Sequence, residues 1–151
     1  MRLFLDANVL FSAAHNPQGN ARAFFALATQ GAVTLLGSRF ARDEAIRNIN
    51  LKFPDCNKTL AELLKAIELV SEPPPSLIGI ARAAGLPEKD APILAAAIAS
   101  RVDMLVTGDK RHFGHLFGQH IETVLVLPPA DALVFVLNPI AATISEQERH
   151  E

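Results

Sequence analysis

The 151-residue chain contains no Trp, no Tyr and a single cysteine, Cys56. One thiol leaves no intrachain disulfide and no cysteine-rich zinc site, so Cys56 reads as a small packed residue near a helix start. Long hydrophobic runs are missing too. Spanning a bilayer takes about 20 consecutive apolar residues, and the most apolar stretch near the C-terminal end, Ala132 to Leu137, is far shorter. Arg2 followed by Leu3-Phe4-Leu5 begins like a secretory signal, but Asp6 and Asn8 break the run early. The expectation is a cytoplasmic protein with no membrane association. An excess of positive charge is also absent: 14 Lys and Arg stand against 16 Asp and Glu, a net charge of −2. That excludes nucleic-acid binding by bulk charge, while leaving room for a local basic strip beside an acidic site. Without Trp or Tyr, stacking of bases on large aromatic platforms is not the expected basis of specificity. No Ser-His-Asp set and no cysteine nucleophile occur in a workable order.

What is present is a core. Half of the residues are hydrophobic and a fifth are charged, a balance that fits one globular domain. No internal repeat or linker divides the chain, so residues 1–144 read as one domain and 145–151 as a short polar tail. Five segments rich in Val, Ile, Leu and Phe read as strands: Arg2 to Leu5, Val33 to Leu36, Ile67 to Ser71, Met104 to Thr107 and Thr123 to Leu127. Most are continuous apolar runs, as expected of strands covered on both faces. Helical patterns lie between them. Asn20 to Gln30 is stopped by Gly31, Ser38 caps a helix through about Lys52, and Asp55 to Ala66 carries Leu60, Leu63 and Leu64 on one face. The rigid Pro73-Pro74-Pro75 precedes a helix that Gly85 ends. Asp90 to Ser100 is alanine-rich, and a last helix begins near Pro129 with Pro139 as its limit. Alternating strands and helices predict a single-domain α/β/α sandwich around a central, mainly parallel five-stranded sheet.

In such sheets ligands bind at the carboxyl ends of the strands. Asp6 follows the first strand, and Asp109 follows the fourth within Thr107-Gly108-Asp109-Lys110. Asp90 opens the alanine-rich helix and Glu44 lies in the helix after the second strand, so crossovers can bring all four acids to one sheet edge. Each alone has an ordinary reading: Asp90 as a helix cap, Asp109 as a turn residue, Glu44 as a solvated helix residue. Together they pose an electrostatic problem, because like charges 4 Å apart repel by about 4 kcal/mol at an effective dielectric of 20. Either protons are retained or a cation binds, and an all-oxygen donor set favours Mg²⁺ or Mn²⁺.

Four segments then match a known pattern. Leu5-Asp6-Ala7-Asn8-Val9-Leu10, Arg42-Asp43-Glu44-Ala45-Ile46, Asp90-Ala91-Pro92-Ile93-Leu94-Ala95-Ala96-Ala97 and Leu105-Val106-Thr107-Gly108-Asp109-Lys110-Arg111-His112-Phe113 occur in order. They resemble the acidic motifs of the PIN-domain nucleases, over Met1 to about Leu137. The resemblance implies a Mg²⁺- or Mn²⁺-dependent ribonuclease in which Asp6, Asp90 and Asp109 bind metal directly or through water and Glu44 completes the cluster. Asn8 and Thr107 would orient those carboxylates. The motif form is similar to the VapC-like toxin components of toxin–antitoxin pairs, implying RNA as substrate, a small antitoxin protein as partner, and a homodimer.

Arg39, Arg42, Lys110 and Arg111 are the candidate phosphate contacts. His112, His115 and His120 are irregularly spaced and read as incidental surface histidines. Two alternatives remain. A phosphatase of the haloacid-dehalogenase type would use Asp6 as nucleophile, but the second carboxylate it needs is replaced by Asn8. A non-catalytic module keeping the same fold has no evident reason to assemble four acids.

Overall fold

The computed structural model describes residues 1–138. Strand β1 (Arg2–Leu5) leads into α1 (Ala7–His15), α2 (Asn20–Thr29) and β2 (Thr34–Gly37). Helix α3 (Arg39–Lys52), a 3₁₀ turn (Pro54–Cys56) and α4 (Asn57–Leu64) precede β3 (Ile67–Leu69). Helices α5 (Pro75–Ala83) and α6 (Ala91–Ala99) lead to β4 (Met104–Val106), followed by the short α7 (Lys110–Phe113), β5 (His120–Ile121) and β6 (Val124–Leu127). A further helix, α8, covers residues 129–138. The expected limit of this helix at Pro139 and the tail 145–151 lie outside the described residues.

The sheet has six strands in the order β3-β2-β1-β4-β6-β5. Five of them are parallel neighbours, as the buried apolar runs predicted. The five-strand expectation needs one correction: β5 adds to the edge of β6 antiparallel, pairing His120 with Leu125 and Ile121 with Val124. A strand of two residues has no alternation to read. The tight turn at Glu122, which adopts φ of 56°, is what closes it.

Alternation along the inner strands divides the core in two. Leu3, Leu5, Leu35, Met104 and Val106 join Val9, Ala13, Phe24, Ile49 and Leu60 on one face. Phe4, Leu36, Leu105 and Val126 join Leu94, Ala97 and Phe113 on the other. The result is an α/β/α sandwich in which α1 to α4 cover the first face and α5 to α7 the second. Two expected punctuation marks are in place. The Ser38 hydroxyl accepts the Ala41 N–H at 3.0 Å at the start of α3, and Gly85 follows α5 with φ of 88°. Among the described residues no helix is long and apolar enough to cross a membrane.

Candidate metal centre

The pairing of β1 with β4 sets Leu5 opposite Val106, so the residues that follow, Asp6 and Thr107, leave the sheet side by side. The Asp6 N–H still donates to the Val106 carbonyl at 3.1 Å. Asp6 then caps α1, its Oδ1 accepting the Ala7 N–H at 2.8 Å. Its Oδ2 accepts the Thr107 hydroxyl at 2.8 Å and the Asn8 side-chain amide at 3.3 Å. Asn8 in turn accepts the Gly108 N–H at 2.7 Å through Oδ1, and Thr107 Oγ1 accepts the Asp109 N–H at 3.2 Å. Gly108 suits this close approach, since a Cβ there would lie 3.2 Å from Asn8 Oδ1. Asn8 and Thr107 thus tie the start of α1 to the segment that presents Asp109.

Asp109 caps α7: its Oδ1 accepts the His112 N–H at 3.1 Å and its Oδ2 accepts the His112 ring at 2.8 Å. Asp90 stands before α6 with helical backbone angles, and its carboxylate makes no capping bond. The ordinary reading of Asp90 as a cap is therefore not what its side chain does. Instead it turns toward Asp109 and His112. The His112 ring is 3.3 Å from Asp90 Oδ2, but its N–H is spent on Asp109. Asp90 Oδ2 is left buried with no hydrogen-bond partner.

Asp6, Glu44, Asp90 and Asp109 all line one pocket of about 210 Å³. Helix α3 contributes Glu44, Asn48 and Lys52 at four-residue intervals, which place them along one face. Lys89, beside Asp90 in sequence, adds a second cation. The acids respond to this setting differently. Burial pushes the Asp6 carboxyl up to about 6, with the charges of Glu44 and Asp90 adding to the effect and the Thr107 and Ala7 hydrogen bonds opposing it. Burial also raises Asp90, against the pull of His112 and Lys89. For Asp109 burial acts upward as well, but the hydrogen bonds and charge of His112 outweigh it and hold the carboxyl below its usual range.

A bound cation would answer both the repulsion and the unpartnered oxygen. Asp90, Asp109 and His112 each offer a ligand atom, and these lie within 4.8 Å of one another. Carboxylate oxygens with one imidazole suit a hard or borderline divalent ion. The residues present therefore fit a metal.

His112 corrects the sequence reading: it is half-buried within the acidic cluster and not an incidental surface histidine. Its three-residue spacing from Asp109 was the available signal. His115 does lie at the surface, bonded to the Ala84 carbonyl. The basic residues lining the pocket are Lys52 and Lys89, and the four-residue step from Glu44 pointed to Asn48 and Lys52. Arg39 lies beside Leu69 to Glu72, Arg42 pairs with Asp43 at 2.9 Å, and Lys110 and Arg111 are exposed on α7. None of these four lines the pocket.

No curated protein sequence matches the chain. Among solved structures it is similar to VapBC2 from Rickettsia felis, crystallised bound to a DNA fragment from their promoter, at 20% identity and a TM-score of 0.62, covering 85% of this chain and 98% of that one. It is similar to PAE2754 from Pyrobaculum aerophilum at 19% identity and a TM-score of 0.63, covering 90% and 95%. It also resembles FitAcB from Neisseria gonorrhoeae at 21% identity and a TM-score of 0.54, covering 84% and 97%. At such identities these likenesses concern the fold. The family model for the PIN domain matches residues 2–111, a span that holds all four acids and every strand from β1 to β4. The chain belongs to the PIN domain family.

Proposed function

We propose that the chain is a Mg²⁺- or Mn²⁺-dependent ribonuclease and the toxin of a toxin–antitoxin pair. The observation that carries the reading is the meeting of Asp6, Glu44, Asp90 and Asp109 in one pocket, with a buried Asp90 oxygen that has no hydrogen-bond partner. Asp90, Asp109 and His112 would hold the metal, with Asp6 and Glu44 bounding the same space. When bound, such an ion lowers the pKa of its water and stabilises charge on a leaving oxygen. Asn8 and Thr107 keep Asp6 and Asp109 in register, so the acids do not reorganise when a phosphodiester enters. Lys52 and Lys89 offset the repulsion between an anionic backbone and an anionic pocket. Lys110 and Arg111, exposed on the adjoining α7, would meet phosphates further along the RNA. Family membership favours nuclease chemistry, and the likeness to VapBC2 and FitAcB favours a small antitoxin protein as partner.

The test is cleavage of single-stranded RNA by the purified chain. Mg²⁺ or Mn²⁺ is expected to support cleavage, and EDTA, Asp6→Asn and Asp90→Asn each to abolish it. No cleavage by the wild type, or full cleavage by both variants, rejects the reading.

A further inference from the structure

The acidic pocket has one aromatic ring in its lining, backed by two more. Phe11 lines it together with the carboxylates, and lies five residues beyond Asp6, about 7.5 Å along the axis of α1. His15, one turn further, meets the Phe11 ring edge-on at 4.8 Å and 66°. Phe53, just past α3, stacks on His15 at 4.6 Å and 22°, and stands 5.8 Å from Phe11. The Lys52 ammonium sits 5.6 Å from the Phe11 centroid and also lines the pocket.

Two features separate this group from an ordinary core edge. Phe53 keeps 43% of its surface in water, so the stack is not closed off by the fold. The ammonium that lies over the Phe11 ring also lines the pocket. A π-face joined to a cation beside a phosphate-handling site matches the chemistry of a nucleotide, whose base stacks while its phosphate is neutralised. A duplex keeps its bases stacked on one another and offers no free face, so the occupant must be unpaired.

We propose that Phe11, His15 and Phe53, with Lys52, form a subsite that stacks one unpaired RNA base next to the phosphate at the carboxylates. The proposal rests on the ribonuclease reading above and names the substrate class as single-stranded RNA. The absence of Trp and Tyr is met by assembling a platform from two Phe rings and an imidazole.

Binding and cleavage test it separately. In an Asp6→Asn background with Mg²⁺, anisotropy of a labelled single strand of about ten nucleotides reports affinity. Phe53→Ala is expected to weaken binding about five- to 150-fold, the range for one lost base–aromatic stack. Phe53→Trp should restore it. A single abasic site walked along the strand should cost a similar factor at one position, and cost little there once Phe53 is Ala. Unchanged affinity in Phe53→Ala, or abasic losses indifferent to that substitution, overturns the subsite and leaves the rings as a surface for another protein. In the wild-type background Phe53→Ala should raise KM for cleavage with kcat retained. Failure of the wild type to cleave would reject the ribonuclease reading, while the binding result still decides the subsite.

Discussion

Removing the charge of Asp6 is expected to stabilise the metal-free protein at neutral pH, although on the proposed function it abolishes cleavage. The Asp6 carboxyl is 6% exposed and is pushed from 3.8 to about 6, chiefly by burial. The folded state therefore holds this proton more tightly than the unfolded state does. The resulting cost is absent below pH 4, grows between 3.8 and about 6, and is complete above that. A shift of about two pH units corresponds to about 3 kcal/mol. Asparagine keeps one acceptor but turns the other oxygen into a donor facing Thr107 and the Asn8 amide. Rearranging those bonds costs about 1–2 kcal/mol. A net gain of about 1–2 kcal/mol remains, or about 2–8 °C in a domain of this size. Urea and thermal denaturation in EDTA at pH 5 and pH 7.5 measure it. The wild type should gain stability on acidification relative to Asp6→Asn, and the variant should be the more stable at pH 7.5. An Asp6→Asn protein less stable than wild type in EDTA at pH 7.5, with no pH-dependent difference between them, would refute the reasoning.

Two further outcomes follow from the same network. Thr107→Val removes a hydroxyl that donates to Asp6 and accepts from the Asp109 N–H; a loss of about 1–3 kcal/mol is expected in urea denaturation, with the Asp6 titration followed by NMR moving higher still. Asp90→Asn should erase stabilisation by Mn²⁺: the wild type gains about 2.7 kcal/mol at 100 times its Kd, whereas the variant's melting point should not respond to the ion.

Much of this was legible because strand ends and helix starts are local. The apolar run of β1 followed by Asp6, the Ser38 cap and the Gly85 stop each act within a few residues. Helix α1 went unread because the apolar Phe11 falls on the same side as Asn8, Ser12 and His15, opposite the buried Ala7, Leu10, Ala13 and Ala14, and interrupts the polar face that periodicity relies on. The acids could be named from the sequence, but not their environments. The Asp109–His112 contact is local to α7, but that Asp90 Oδ2 stays buried without a hydrogen-bond partner depends on where α6 and α7 meet. The same holds for the cluster of Phe11, His15 and Phe53, since Phe53 is remote from Phe11 in sequence and reaches it only when α3 lies against α1. Composition recorded the missing Trp and Tyr and had no means of recording that Phe11, His15 and Phe53 meet.

The pairing of β1 with β4 also bears on how the protein is made. The Thr107 hydroxyl that holds Asp6 lies 101 positions later in the chain. Synthesis delivers the N-terminal part first, so a growing chain that has emerged only as far as α6 carries Asp6 without Thr107 or Asp109. The complete acid cluster can form only once β4 is available to dock beside β1. On the proposed activity, the nascent chain is harmless to the ribosome and messenger that produce it until that step occurs. Stalled chains of increasing length should begin to bind Mn²⁺ only once the segment from Thr107 to His112 has cleared the exit tunnel; binding by shorter chains would contradict this order.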